Sequence, residues 1–174
     1  MSTLDRLLIR ATVVFALFST GVCGAQPLPS SPSTARRIGV YDSRAVAIAY
    51  AGSSTFRKSL GEMRAAQKAA RDAGDRDTVD RLDQTGRALQ GKLHRQGFGT
   101  EPVEDLLAGF PDALAQVKAE AGVSELVSRW NGAELSRYSG AAQIDVTRAL
   151  VERITSDERQ RKAAMEIVNK KPAG

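Results

Sequence analysis

One cysteine, one histidine, one tryptophan and an aromatic content of 5% leave this chain little of what most catalytic and metal sites are built from. His94, in Leu93-His94-Arg95-Gln96, is the only histidine, so a multi-histidine metal site within one chain is impossible. A catalytic imidazole would need a nucleophile or carboxylate held beside it, and nothing in the sequence fixes Glu101 or Glu104 there. A polar helix-end histidine, well placed against the helix dipole, is the simpler reading. Scarce aromatics also count against single-stranded nucleic acid, which binds on stacking platforms, because the central helical stretch offers only Phe56. The apolar run from Ala11 to Val22 is far shorter than the ~20 residues of a membrane-spanning helix.

That run follows Arg6 and Arg10 and ends in small residues around Cys23-Gly24-Ala25, the pattern of an export signal cleaved after Ala25. Residues 1–25 are therefore expected to be a signal peptide and the mature protein to be periplasmic or otherwise exported. The alternative is a lipoprotein anchored through Cys23, although Val22 puts a branched side chain where a small one is wanted. Removal of residues 1–25 leaves no cysteine, which excludes a disulfide framework, thiol catalysis and thiolate metal sites. The chain has 25 Lys and Arg against 20 Asp and Glu; without Arg6, Arg10 and Asp5 the balance is 23 to 19, a net charge of about +4. Outside the cytoplasm, a mild positive balance points to acidic proteins or an anionic membrane surface more than to nucleic acid.

Residues 26–36, with Pro27, Pro29 and Pro32 among serines, are expected to form a disordered spacer. A single domain over residues 37–156 follows, and residues 157–174 read as a charged final helix or tail with Ile167 and Val168 as its large apolar pair. Ile38 and Val40 share one face of a short strand, and Ile144-Asp145-Val146-Thr147 supplies another near the other end. Short strands bury too little alone, so the two distant segments are expected to pair in one sheet. The fold class is α+β: a small sheet of N-terminal and C-terminal strands with an inserted α-helical hairpin, at residues 53–96, and a further helix.

In the hairpin, Phe56, Leu60 and Met63 recur at spacings of four and three on the first arm, and Val79, Leu82, Leu89 and Leu93 form the stripe of the second. Gly74 marks the reversal, with Asp77 and Asp80 approximating a capping box. Residues 101–121 read as one helix kinked at Pro111, and Asn131-Gly132 reads as a β-hairpin turn between strands carrying Trp130 and Tyr138. Three polar groupings invite a site. Asp42-Ser43-Arg44 follows the first strand, but a helix cap with a surface arginine explains it. Asp72, Asp75, Asp77, Asp80 and Asp83 suggest calcium yet lack the loop glycine and closing glutamate of a calcium loop. Arg57, Lys58, Arg64, Lys68, Arg87 and Lys92 line the hairpin nearer its base than its tip.

The order of strand, short helix, helical hairpin, paired strands and final Ile144-Asp145-Val146-Thr147 resembles the OmpH or Skp family of periplasmic chaperones. The matching segments are Ile38-Gly39-Val40-Tyr41-Asp42 and residues 123–130 with 144–147. The arms here are shorter than the family pattern. The resemblance implies a homo-oligomer, a trimer in the family, whose strands join in a central body and whose arms surround unfolded outer-membrane proteins. On that basis Phe56, Leu60, Met63, Val79, Leu82, Leu89 and Leu93, with Arg57, Lys58, Arg64, Lys68, Arg87 and Lys92, are the expected client-binding residues. Ile38, Val40, Leu126, Trp130, Ile144 and Val146 are the expected oligomer interface. The function expected is a non-enzymatic, exported binding protein without a cofactor, holding unfolded envelope or outer-membrane proteins. The alternative is a structural envelope or scaffold protein that binds a dedicated folded partner.

Overall fold

The computed structural model describes residues 36–172; the signal segment, Cys23 and the spacer up to residue 35 lie outside it. The chain runs β1 Arg37–Tyr41, α1 Ser43–Ala51, α2 Ser54–Asp72, α3 Arg76–Phe98, α4 Glu104–Leu107 and α5 Pro111–Ala121. It continues β2 Glu125–Ser128, α6 Gly132–Ser136, β3 Ala142–Asp145, α7 Thr147–Ile154 and α8 Glu158–Val168. The fold is a mixed α+β one, as the pattern implied, with the distant β1 and β3 paired in one sheet.

All three strands are parallel, in the order β2-β1-β3. Parallel neighbours need long crossovers. Five helices, α1 to α5, fill the first, and the segment containing α6 fills the second. Because the second connection reverses the direction of the first, two right-handed crossovers must lie on opposite faces of the sheet. The two apolar clusters obey this. On one face Tyr41 and Val146 join α1, α4, α5, α7 and α8 in the main core. On the other, Ile38, Val40 and Val127 lie under Leu135, Tyr138 and Ala141 of the α6 segment. Gly39 sits opposite Leu126 and Ile144 on the main-core face, and an added Cβ would meet Leu126 Cδ2 at 2.7 Å and Val146 Cγ2 at 3.1 Å. Glycine is what lets these neighbours close over β1.

Helix α1, Ser-Arg-Ala-Val-Ala-Ile-Ala-Tyr-Ala, is apolar or small on nearly every side, the composition of a helix covered all round. It is the hub of the fold, packed by α8, α3 and α7. The hairpin of α2 and α3 projects from it. Ser53 and Asp75 cap the two arms, and Gly74, at φ +71°, makes the reversal between them.

Four local expectations are corrected. Asn131-Gly132 is not a hairpin turn: Asn131 Oδ1 accepts from Glu134 N at 3.1 Å and its amide donates to Glu134 Oε2 at 3.0 Å, a reciprocal cap that starts α6. β2 finds its partner in β1 instead, so Trp130 and Tyr138 are not cross-strand neighbours. Pro111 does not kink a long helix but occupies the first turn of α5, after α4 has ended. Asp75, not Asp77, caps α3. Arg44 is no surface residue; it is fully buried. The charged C-terminal segment is the ordered helix α8, with Ala164 and Ile167 buried against the main core.

Candidate functional site

In open parallel sheets, ligands bind where neighbouring strands send their chains to opposite faces, at the carboxyl ends. Here that point lies between β1, which leads into α1, and β2, which leads into α6. It is occupied by the protein's own side chains. Asp42 caps α1 and accepts four hydrogen bonds: from Arg44 N at 3.0 Å, Arg44 Nε at 3.1 Å, an Arg44 terminal nitrogen at 2.8 Å and Trp130 Nε1 at 3.0 Å. Asp42 and Arg44 are wholly buried, and the Trp130 ring lies 4.7 Å from the Arg44 guanidinium, a cation–π lid. The other Arg44 terminal nitrogen donates to the Lys170 carbonyl at 2.9 Å, tying the end of α8 to the sheet.

Arg129, from the end of β2, reaches over β1 to Asp145 at 2.9 Å and stands 3.9 Å from Asp42. Thr147 completes the group, its hydroxyl accepting from Asp42 N at 3.1 Å. Burial works against ionising Asp42, but the hydrogen bonds from Arg44 and Trp130 and the Arg44 charge outweigh it and hold the carboxyl below its ordinary range. Asp145 is shifted the same way: burial opposes it, and the bonds from Thr147 and the charge of Arg129 prevail. Two acids and two guanidinium groups thus neutralise each other, with Arg129 Nε and Ser43 Oγ the buried polar atoms left without a partner here. The cluster ties the sheet to α1, α7 and the segments beside α6 and α8; its carboxylates are engaged by arginines, and its unpartnered hydroxyl, Ser43 Oγ, is buried away from solvent.

An open concavity lies elsewhere. A groove of about 450 Å³ runs between α1, α3 and α8, floored by Ala47, Ile48 and Ala51 and walled by Leu93, Gly97, Phe98, Ala163 and Ile167. Its depth comes from small residues, which keep three helix backbones close while leaving space above them. Gln90, His94, Gln160, Glu166 and Lys170 form a polar rim. His94 packs against Phe98 with the rings tilted by 40° and their centroids 4.9 Å apart, and Phe98 is 45% exposed, a large apolar side chain left to solvent at the groove edge. A second concavity, against Arg95, Glu101 and Pro102, continues from the same His94 and Phe98.

The expected client-binding residues fall into two groups. Phe56, Leu60, Met63, Val79, Leu82, Leu89 and Leu93 are half-buried. They form the seam of the hairpin: Gly86 faces Met63, and Gln67 Nε2 donates to Asp83 across the arms. Phe56 at the base packs on Tyr50 of α1, with ring centroids 5.4 Å apart, Leu93 packs against the main core and lines the groove, and the stripes between them face each other along the arms. Among the basic residues, Arg57 donates to the Gly52 carbonyl at 2.6 Å, while Lys58, Lys68 and Lys92 pair with Glu62, Asp72 and Asp105. Arg64 and Arg87 are exposed. Of the expected oligomer interface, Ile38, Val40 and Val146 are buried within the chain, Leu126 and Ile144 are half-buried, and Trp130 covers Arg44. No group of three metal-ligating side chains forms among the described residues; in the acidic run, Asp75 caps α3 and Asp72 pairs with Lys68.

Two features escaped the sequence reading. Arg44 was legible in principle, since a cation inside a run of alanine, valine and isoleucine with an acid two residues earlier is placed for burial. The groove was foreshadowed by Ala47, Ala51, Gly97 and Ala163, small residues at positions where a packed helix face would be expected to carry large ones. Comparison with protein-family models, with curated proteins and with solved structures gave no match.

Proposed function

We propose that this chain is a non-enzymatic binding protein that takes an apolar segment of another protein into the groove between α1, α3 and α8. The groove itself carries the reading: an open apolar trough with an exposed phenylalanine at its edge and a polar rim is the anatomy of a protein-binding surface. Each leucine-sized side chain buried there would contribute about 1.5–3 kcal/mol before the cost of association, which suits reversible holding. The export-type N-terminal sequence directs the search to envelope proteins, unfolded outer-membrane proteins among them.

A dedicated folded partner is the second reading, and the zipped seam favours it: arms whose apolar stripes face each other leave little to line a client-holding cavity. The test dilutes an unfolded outer-membrane β-barrel protein from denaturant into the full chain or its Phe98→Asp variant, following solution mass by light scattering. Suppressed aggregation that the variant loses supports holding of unfolded chains through the groove. Equal suppression by both proteins refutes the groove as the binding surface, and no suppression by either leaves the dedicated partner as the reading to pursue.

A further inference from the structure

The hairpin has two unlike flanks, and one of them leads into the groove. On α2, Arg57, Arg64, Lys68 and Arg71 recur at spacings of seven, four and three, which puts all four on one side of the helix. On α3, Arg76, Asp80, Asp83, Arg87, Gln90 and His94 recur at four, three, four, three and four and share a side likewise, so the flank carries six cations and two acids in all. Arg57, Arg64, Lys68 and Arg71 each follow a seam position of α2 by one residue, as Asp83, Arg87, Gln90 and His94 follow Leu82, Gly86, Leu89 and Leu93 on α3, and in an antiparallel pair positions displaced the same way from the seam lie on the same flank. Gln90 and His94 also line the groove, so the flank and the groove are one continuous surface. Arg64 and Arg87 are exposed at adjacent levels of the two arms, and no carboxylate among the described residues lies within ion-pairing distance of either.

Resting on the groove reading above, we propose that its partner is an acidic amphipathic helix, its apolar side in the groove and its carboxylates along the flank of Arg64 and Arg87. The partner is helical because the groove walls are helices: they present no open strand edge, and a segment bedded against them must satisfy its own backbone hydrogen bonds. It is acidic because the flank it must lie along carries an excess of cations, of which only Lys68 pairs with a carboxylate among the described residues. A lipid surface matches the charge but not the shape. A flat bilayer does not follow the groove inward, and Phe98 is the large exposed apolar side chain this surface offers for insertion.

The test measures fluorescence anisotropy of three labelled 18-residue helical peptides with the same leucine stripe and with glutamate, glutamine or lysine on the polar side, titrated with the full chain. The glutamate peptide should bind about tenfold tighter than the lysine peptide at low ionic strength, with the gap closing in high salt. In the R64E/R87E variant, whose altered residues are exposed, the preference should invert. Phe98→Asp should weaken all three peptides. Equal affinity for the three peptides would overturn the acidic partner while leaving the groove reading intact; no binding of any peptide would overturn both. Sedimentation of the protein with phosphatidylglycerol vesicles, lost in R64E/R87E and accompanied by no peptide binding, would replace the helix with a membrane.

Discussion

Replacing Asp42 by serine should cost this protein about 3–5 kcal/mol, although serine keeps the N-cap of α1. The magnitude follows from Arg44. Its guanidinium is inaccessible to solvent and makes three hydrogen bonds, two to Asp42 and one to the Lys170 carbonyl, with Asp42 its fully buried counter-ion. Serine can accept from Arg44 N but cannot neutralise the cation, and Trp130 Nε1 loses its acceptor as well. A natural domain holds only about 5–15 kcal/mol in reserve, so the change should move the urea midpoint far towards zero. Trp130 is the only tryptophan and lies on the cluster, so its fluorescence reports local opening while circular dichroism at 222 nm reports the helices. The double variant Asp42→Ser/Arg44→Met removes the orphaned charge and should recover much of the loss, giving a favourable coupling in a double-mutant cycle. A loss below about 1 kcal/mol for Asp42→Ser, or additive single losses, would refute the claim that this is a dry, mutually dependent pair.

Gly39→Ala should destabilise by about 1–3 kcal/mol, because the new methyl would sit 2.7 Å from Leu126 Cδ2 on a face closed by Val146 and Val123; an unchanged thermal midpoint would show that β2 can shift at no cost. Asp42 and Asp145 titrate below the ordinary carboxylate range in the folded protein, so their stabilisation is complete above about pH 4 and is lost as pH falls through the lowered folded values. Urea midpoints measured between pH 6 and pH 2 should hold steady and then drop at the acid end, and a drop already complete at pH 5 would contradict the sign. Phe98→Asp should leave the urea midpoint within about 0.5 kcal/mol of the parent, since the side chain is 45% exposed; a large loss would mean that Phe98 serves the fold rather than a partner.

Local signals were most legible where one element answered to its own residues. Ile38-Gly39-Val40-Tyr41 declares a short strand and the stripes from Phe56 to Leu93 declare two facing helices, whereas the strand expected at Ile144-Asp145-Val146-Thr147 lies two residues earlier, at Ala142–Asp145, because Val146 caps α7 and Thr147 begins it. The errors arose where two structures compete for the same residues. Asn131-Gly132 suits a tight turn, but Glu134 three residues after Asn131 suits a helix cap equally well, and the tertiary demand for a parallel β2 settled the contest. Pro111 reads as a kink only if residues 101–121 are taken as one helix; with Gly109 and Phe110 ahead of it, the same proline is a helix start. The groove has no sequence period at all, because its three walls come from residues 47–51, 90–98 and 160–170 and meet only through packing.

The buried cluster and the groove are two ends of one helix. Residues 42–44 fix the N-terminal end of α1 in the carboxyl edge of the sheet, and Ala47, Ile48 and Ala51 form the groove floor along the same α1. Arg44 also holds the residue just past the C-cap of α8 through the Lys170 carbonyl, and α8 supplies Ala163 and Ile167 to the groove wall, with Lys170 following them. The opposite end of α8 is anchored too, by Thr155 donating to the Gly52 carbonyl at 2.9 Å and by Arg161 donating to the Thr155 carbonyl at 2.7 Å. A helix fixed at both ends is a preformed wall, and a preformed groove loses little conformational entropy when it is filled. The buried ion pair, costly to desolvate and a poor source of net stability, is thereby given a use: it holds the groove in one shape.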